Sequence, residues 1–206
     1  MSSVSPSSSP SAATVLTKSG SGTLVLAGAN TYTGSLIINA GTVEFSNGAA
    51  SQNLGNPTAA ATNIILNGGV LRPTATTSLI YGITVNGPAA IDIGTGVTLT
   101  QTAQGITGAS ALASATASST GLSAGLLQKT GLGTLTLAGT TANSNLSIEI
   151  VGGVLNLGKT AVLALGETTN STGVPYAALI VDSGAVANLT GTGGNQIGDA
   201  SSVVVK

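Results

Sequence analysis

Short stretches of alternating apolar and polar residues, each followed by a bend of small residues, fill the chain from Val15 onward. Leu36-Ile-Ile-Asn-Ala-Gly41-Thr-Val-Glu-Phe45 shows the unit, and Ile64-Ile-Leu-Asn-Gly-Gly69-Val-Leu71 repeats it. Ile83-Thr-Val-Asn-Gly-Pro88-Ala-Ala-Ile91, Ile148-Glu-Ile-Val-Gly-Gly153-Val-Leu155 and Ala178-Leu-Ile-Val-Asp-Ser-Gly184-Ala-Val186 are further copies. Period-two alternation of β-branched residues is the pattern of a strand with one buried face. Gly or Asn at the bend supplies a positive φ that other residues resist. Gly41, Gly69, Gly152 and Gly184 are therefore expected at corners, several of them with positive φ.

Two topologies fit this pattern. Hairpins would pair the strands on either side of each bend. A solenoid would make each bend a corner of one coil and pair strands between successive coils. The steps from Gly41 to Gly69, from Gly69 to Pro88 and from Gly153 to Gly184 each match one coil of a β-helix with variable loops. A sandwich would also need charges on its solvated faces, whereas stacked coils align like residues into ladders that Thr, Asn, Ser and Gly tolerate. The expected fold is all-β, a parallel β-helix (β-solenoid) in a single elongated domain. At about 20 residues per coil, eight to ten coils spaced ~4.8 Å apart would make a rod of roughly 40–50 Å.

A longer repeat lies over the short one. Lys18-Ser-Gly-Ser-Gly-Thr-Leu-Val-Leu-Ala-Gly28 matches Lys129-Thr-Gly-Leu-Gly-Thr-Leu-Thr-Leu-Ala-Gly139 without a gap. The shift that carries Lys18 onto Lys129 also carries Gly41 onto Gly152 and Leu54-Gly55 onto Leu165-Gly166. A short insertion then brings Asn67-Gly-Gly69 onto Asp182-Ser-Gly184. The reading is a Ser/Pro-rich arm over residues 1–13 and a solenoid over 14–206. Its duplicated unit covers about 14–124 and, incompletely, 125–206.

Composition narrows the function. Only 5% of the 206 residues are charged, against about a quarter in an average domain, and there is no His, Cys or Trp. Aromatics are 2% of the chain, so Val, Ile, Leu and Ala must build the core. No apolar run approaches the ~20 residues of a spanning helix, so no membrane insertion is expected. A net charge of −1 and five scattered cations, Lys18, Arg72, Lys129, Lys159 and Lys206, argue against nucleic acid as a partner. Without Cys the fold has no disulfide staples. Met1–Ser11 lacks the basic and apolar regions of a signal peptide.

Gly22-Thr-Leu-Val-Leu-Ala-Gly-Ala-Asn-Thr-Tyr-Thr-Gly34, followed by Ile37-Ile-Asn-Ala-Gly-Thr-Val43, resembles the autotransporter-associated β-strand repeat, which reads approximately G-x-G-T-L-x-L-x-G-x-N-T-Y-T-G-x-T-x-I-x-x-G-x-L. Asn30, Thr31, Tyr32, Thr33 and Gly34 are its most specific part; in the second copy Thr140-Thr-Ala-Asn-Ser-Asn-Leu146 replaces that turn. Gly193-Gly-Asn-Gln-Ile-Gly-Asp-Ala-Ser-Ser-Val203 also resembles a stretch of such arrays. The resemblance implies a right-handed β-helix in long, secreted, surface-attached bacterial proteins, and an extracellular or cell-surface location. It implies association with the outer membrane if the chain is part of a longer autotransporter.

Chemistry is sparse. The carboxylates are Glu44, Asp92, Glu149, Glu167, Asp182 and Asp199; Glu44 and Glu149 lie in strand patterns facing outward, and Asp182 occupies a corner. No His leaves Ser/His/Asp catalysis without its base, and no Cys or His removes zinc and most transition-metal sites. Catalytic residues, cofactors and metals are therefore expected to be none, and the chain is not read as an enzyme. The leading expectation is a structural solenoid that stacks end to end into a fibre, or a rigid surface stalk. Val15 and Leu16 of one subunit would meet Val203, Val204 and Val205 of the next, with the arm from Ser2 to Ser11 crossing the joint. One alternative is an adhesin that takes cell-surface glycans as partners. Another is an ice-binding solenoid, suggested by Thr98-Leu-Thr100 and Thr134-Leu-Thr136, which would need a regular threonine column over many coils.

Overall fold

The computed structural model describes residues 14–48, 53–55, 63–102, 104–108, 126–165, 178–197 and 202–206. Among these residues all regular structure is strand. The first coil gives β1 (Leu16–Lys18) and β2 (Thr23–Leu26), and the second β3 (Leu36–Ile38) and β4 (Thr42–Phe45). The third gives β5 (Asn63–Leu66), β6 (Val70–Pro73) and β7 (Thr77–Leu79). The fourth gives β8 (Gly82–Val85), β9 (Ala89–Asp92) and β10 (Thr98–Gln101). The fifth gives β11 (Ile106–Gly108), β12 (Leu126–Thr130) and β13 (Thr134–Leu137). Then follow β14 (Ser147–Ile150) with β15 (Val154–Leu157), β16 (Ala178–Val181) with β17 (Val186–Leu189), and β18 (Ser202–Val205).

Three sheets result. Sheet one stacks β1-β3-β5-β8-β11, sheet two stacks β2-β4-β6-β9-β12-β14-β16-β18, and sheet three stacks β7-β10-β13-β15-β17. Every strand pairing among the described residues is parallel, which rules out the hairpin topology for these strands. The molecule is a three-faced parallel β-solenoid. Sheet two, with one strand from each of eight coils, gives seven intervals of ~4.8 Å, or about 34 Å from first rung to last. That is shorter than expected, because eight coils is the low end of the expected range.

Alternation becomes an inside and an outside. The inward positions of sheet two form one column through Val43, Leu71, Ile91, Lys129, Ile150 and Val181. Sheet one contributes Leu36, Ile64, Ile83 and Ile106, and sheet three Leu99, Leu135 and Leu155, all buried. Phe45 and Tyr81 are the largest buried side chains.

The structure adds a rule about the repeat. β1 and β2 lie in sheets one and two, but their counterparts in the second copy, β12 and β13, lie in sheets two and three. β3–β4 and β14–β15 show the same displacement of one face. The repeating unit is thus two strands and the corner between them. Two different corners of the solenoid carry it, because both present the same parallel ladder above and below.

Candidate functional site

The corner glycines act in two ways. Gly41 and Gly184 have φ of +70° and +80°. At the other two bends the positive φ falls on a neighbour, Gly68 (+149°) beside Gly69 and Gly153 (+71°) beside Gly152. In a Gly-Gly pair either residue can take the left-handed step. Gly69 is needed for space, since a Cβ there would strike Ile38 Cγ2.

Two lysines fasten corners, a role the sequence reading did not assign. Lys18 Nζ donates to the carbonyls of Ser19 (3.1 Å), Gly20 (2.6 Å) and, one coil on, Ala40 (3.2 Å). Lys129 Nζ repeats this with Thr130 (2.9 Å), Gly131 (2.7 Å) and Gly152 (2.9 Å). Each ammonium fills a cage of three backbone carbonyls at the bend; of these, Thr130 O also accepts from Ile93 N at 3.1 Å. Burial pushes Lys129 down to about 8, against the pull of nearby Asp92. The available signal was parity: Lys18 and Lys129 sit two positions after Leu16 and Leu127, on the inward side.

A third buried amine, Lys159, lies past the end of β15. Its Nζ donates to Ala138 O (2.9 Å) and Gln101 Oε1 (3.2 Å), and burial pushes it down to about 8. Gln196 holds its backbone, accepting from Lys159 N at 2.9 Å and donating to Lys159 O at 3.0 Å.

The Asn30–Gly34 turn is also structural. Asn30 Nδ2 donates to Asn53 O (2.6 Å), and Asn53 Nδ2 donates to Gly28 O (2.9 Å). Asn53 Oδ1 accepts from the backbone N–H groups of Ser46 and Asn47. Thr31 is exposed, while Gly34 donates its N–H to Thr14 O at 3.1 Å. Thr33 is half-buried in this turn. The Tyr32 ring lies against Gly55, whose carbonyl accepts from Tyr81 Oη at 2.7 Å. Burial raises the Tyr32 phenol well above the usual tyrosine range and Tyr81 up to about 12. In the second copy Asn143 stands where Tyr32 does, accepting from Ile106 N (2.7 Å) and donating to Ala164 O (2.6 Å).

The remaining cations are gathered rather than scattered. On the outer face of sheet two, Arg72 pairs with Glu44 (3.0 Å) and Asp92 (2.8 Å). Lys206 pairs with Glu149 (3.1 Å) and Asp182 (2.9 Å). Each trio is carboxylate, cation, carboxylate, so each acid is spoken for. Glu167 and Asp199 lie outside the described residues, among which no cluster of metal-ligating side chains occurs.

The two threonine triplets stand on adjacent rungs, Thr98 opposite Thr134 and Thr100 opposite Thr136. The rungs beyond are Val154 with Asn156, and Ser78 precedes them. The Thr-x-Thr array therefore spans two coils. Val15, Val203, Val204 and Val205 are exposed and Leu16 is half-buried, while Ser2 and Ser11 lie outside the described residues.

A family profile described as passenger-associated transport repeat matches residues 16–45 and 127–157. These are the β1–β4 and β12–β15 corner pairs. The chain is also 35% identical, over 158 residues, to a protein named Adhesin BmaC autotransporter from Brucella suis biovar 1 (strain 1330). That match covers 77% of this chain, which spans 4% of the relative's length. No solved structure matches the chain.

Proposed function

We propose that this chain, a solenoid carrying repeats of the autotransporter-associated family, is a rigid, non-catalytic spacer within a surface-displayed bacterial adhesin. The observation that carries this reading is the stacking of eight coils through one continuous sheet, over inward columns that are mostly apolar among the described residues. Such a stack transmits length without needing a recognition site. The carboxylates of the two charged trios already hold cations, which leaves no free acid/base pair among them. Small-angle scattering on the purified chain should give a rod, and adding one coil should lengthen it by about 4.8 Å. A compact particle, or a length indifferent to coil number, would end this reading. On a glycan array the isolated chain should bind nothing; saturable binding would shift the assignment to the glycan-recognising alternative.

A second reading is end-to-end association of copies, favoured by one observation. Leu189 continues the buried column of Leu137 and Leu157, yet it is 60% exposed, on the last described strand of its sheet. Exposed edges with apolar residues template further strands unless charge or Pro guards them. Under this reading Leu189→Lys and Val204→Lys lower the sedimentation coefficient of concentrated protein. A wild-type chain that stays monomeric at every concentration excludes it.

A further inference from the structure

The corner between sheets one and two carries a column of exposed asparagines. Asn67 Nδ2 donates to Asn39 Oδ1 at 2.7 Å, and Asn86 Nδ2 donates to Asn67 Oδ1 at 2.9 Å. Asn67 is therefore held at both its amide oxygen and its amide nitrogen, whereas Asn86 is held by a single bond. Asn67 precedes Gly68 and Asn86 precedes Gly87. The N–H groups of Gly68 and Gly87 donate no hydrogen bond among the described residues. A third Asn-Gly step, Asn47-Gly48, differs: Gly48 is buried and its N–H donates to Thr77 Oγ1 at 3.1 Å.

We propose that Asn86, and after it Asn67, are spontaneous deamidation sites whose order is set by the amide ladder, while Asn47 is protected. The Gly87 nitrogen attacks Asn86 Cγ, forming the new C–N bond of a five-membered succinimide. The Asn86 amide nitrogen leaves as ammonia, taking up the proton that the Gly87 nitrogen gives up through solvent. Water then opens the ring to aspartate or isoaspartate, so the net change is one ammonia lost and one water gained. Glycine suits this attack because it has no side chain to crowd the nitrogen, and at Gly48 the nitrogen is already engaged. Once residue 86 is a carboxylate, it has no N–H for Asn67 Oδ1 and sets oxygen against oxygen. Asn67 is then held at one end only, as Asn86 was, and reacts in turn. Each conversion adds one negative charge, taking the net charge from −1 to −3 when both are complete. The corner thereby carries a stepwise chemical record of the protein's age.

The test incubates the native chain at mildly alkaline pH and follows each site by peptide mapping and mass spectrometry. Asn86 should convert first, Asn67 after an approximately fivefold lag, the protection one extra hydrogen bond gives, and Asn47 not at all. In denaturant all three should convert together. Asn67 or Asn47 converting as early as Asn86 in the native chain, or Asn86 staying intact there, overturns the proposal. Asn86→Asp should abolish the lag at Asn67, and Asn39→Ala, which removes the acceptor on the other side, should shorten it. An unchanged Asn67 rate in both folded variants overturns the role of the ladder.

Discussion

Lys129 stands in a column that otherwise reads Val43, Leu71, Ile91, Ile150 and Val181, and none of its surface is exposed. A charge there is tolerable only because three carbonyls meet it, which offsets part of the desolvation cost. Replacing it with Met keeps the volume and orphans the carbonyls of Gly131 and Gly152, while Thr130 O keeps the Ile93 N–H. Lys129→Met should therefore destabilise by about 1–3 kcal/mol, read as a lower urea midpoint. An unchanged midpoint would mean that water satisfies these carbonyls as well. The lysines also give the fold a pH dependence. Unfolded, Lys129 and Lys159 titrate near 10.5; folded, near 8. Between those values the unfolded chain holds more protons, so stability should rise as pH climbs from about 8 toward 10. Above pH 10 the buried phenols oppose it, since Tyr32 and Tyr81 ionise first in the unfolded chain. Denaturant titrations across this range should show the rise, and Lys129→Met with Lys159→Met should flatten it. At this scale the sequence was least informative: a lysine in an alternating stretch reads as surface unless its parity is counted. The ion pairs were out of reach, because Glu149 and Lys206 are far apart in the chain and meet only through the register of the coils.

Among the elements, the strands were readable because alternation and bend chemistry agree at every unit from Leu36 to Val186. What did not follow from the pattern was which face each strand would join. The two copies share the core Lys-x-Gly-x-Gly-Thr-Leu-x-Leu-Ala-Gly, yet one bridges sheets one and two and the other sheets two and three, because nothing in that shared corner names its face. Loop length decides that: the coil from Ile91 to Lys129 is twice as long in sequence as that from Ile64 to Ile83. The corners themselves differ in tolerance. At Gly41 a Cβ would meet the Gly20 and Gly22 carbonyls and Lys18 Nζ in addition to the strain of a φ of +70°, whereas at Gly184 (φ +80°) it would meet nothing within 4 Å. Gly184→Ala should accordingly cost about 1 kcal/mol, the strain alone, and Gly41→Ala at least ~2 kcal/mol more, as a clash with fixed backbone adds to strain. Equal melting temperatures for the two variants would show that the Gly41 corner relaxes around the new methyl.

Across the whole molecule, the strand ladders join each coil to the coils before and after it, and only side chains such as Lys159 to Gln101 and Lys206 to Glu149 reach one coil further, so stability is close to a sum of coil terms and neighbour interfaces. A middle coil has two such interfaces and an end coil has one. The buried columns make the same point chemically: Leu71, Ile91 and Leu99 are fully buried, whereas Leu189, at an equivalent inward position on the last described strand of its sheet, is 60% exposed. Opening should therefore start at the ends and work inward. Native-state hydrogen exchange should be slowest in β6, β9, β10 and β12 and fastest in β1, β17 and β18. A cavity in the middle tests the same linkage from the other direction. Leu71→Ala should cost about 2–5 kcal/mol and raise exchange in β4 and β9, its direct neighbours, more than in β16 or β18. That localisation separates a stack of coupled coils from a single cooperative domain, in which one cavity would raise exchange everywhere by the same factor. Uniform protection along the wild-type chain, together with uniform loss in the variant, would refute the nearest-neighbour account and with it the view of each corner as an independent building unit.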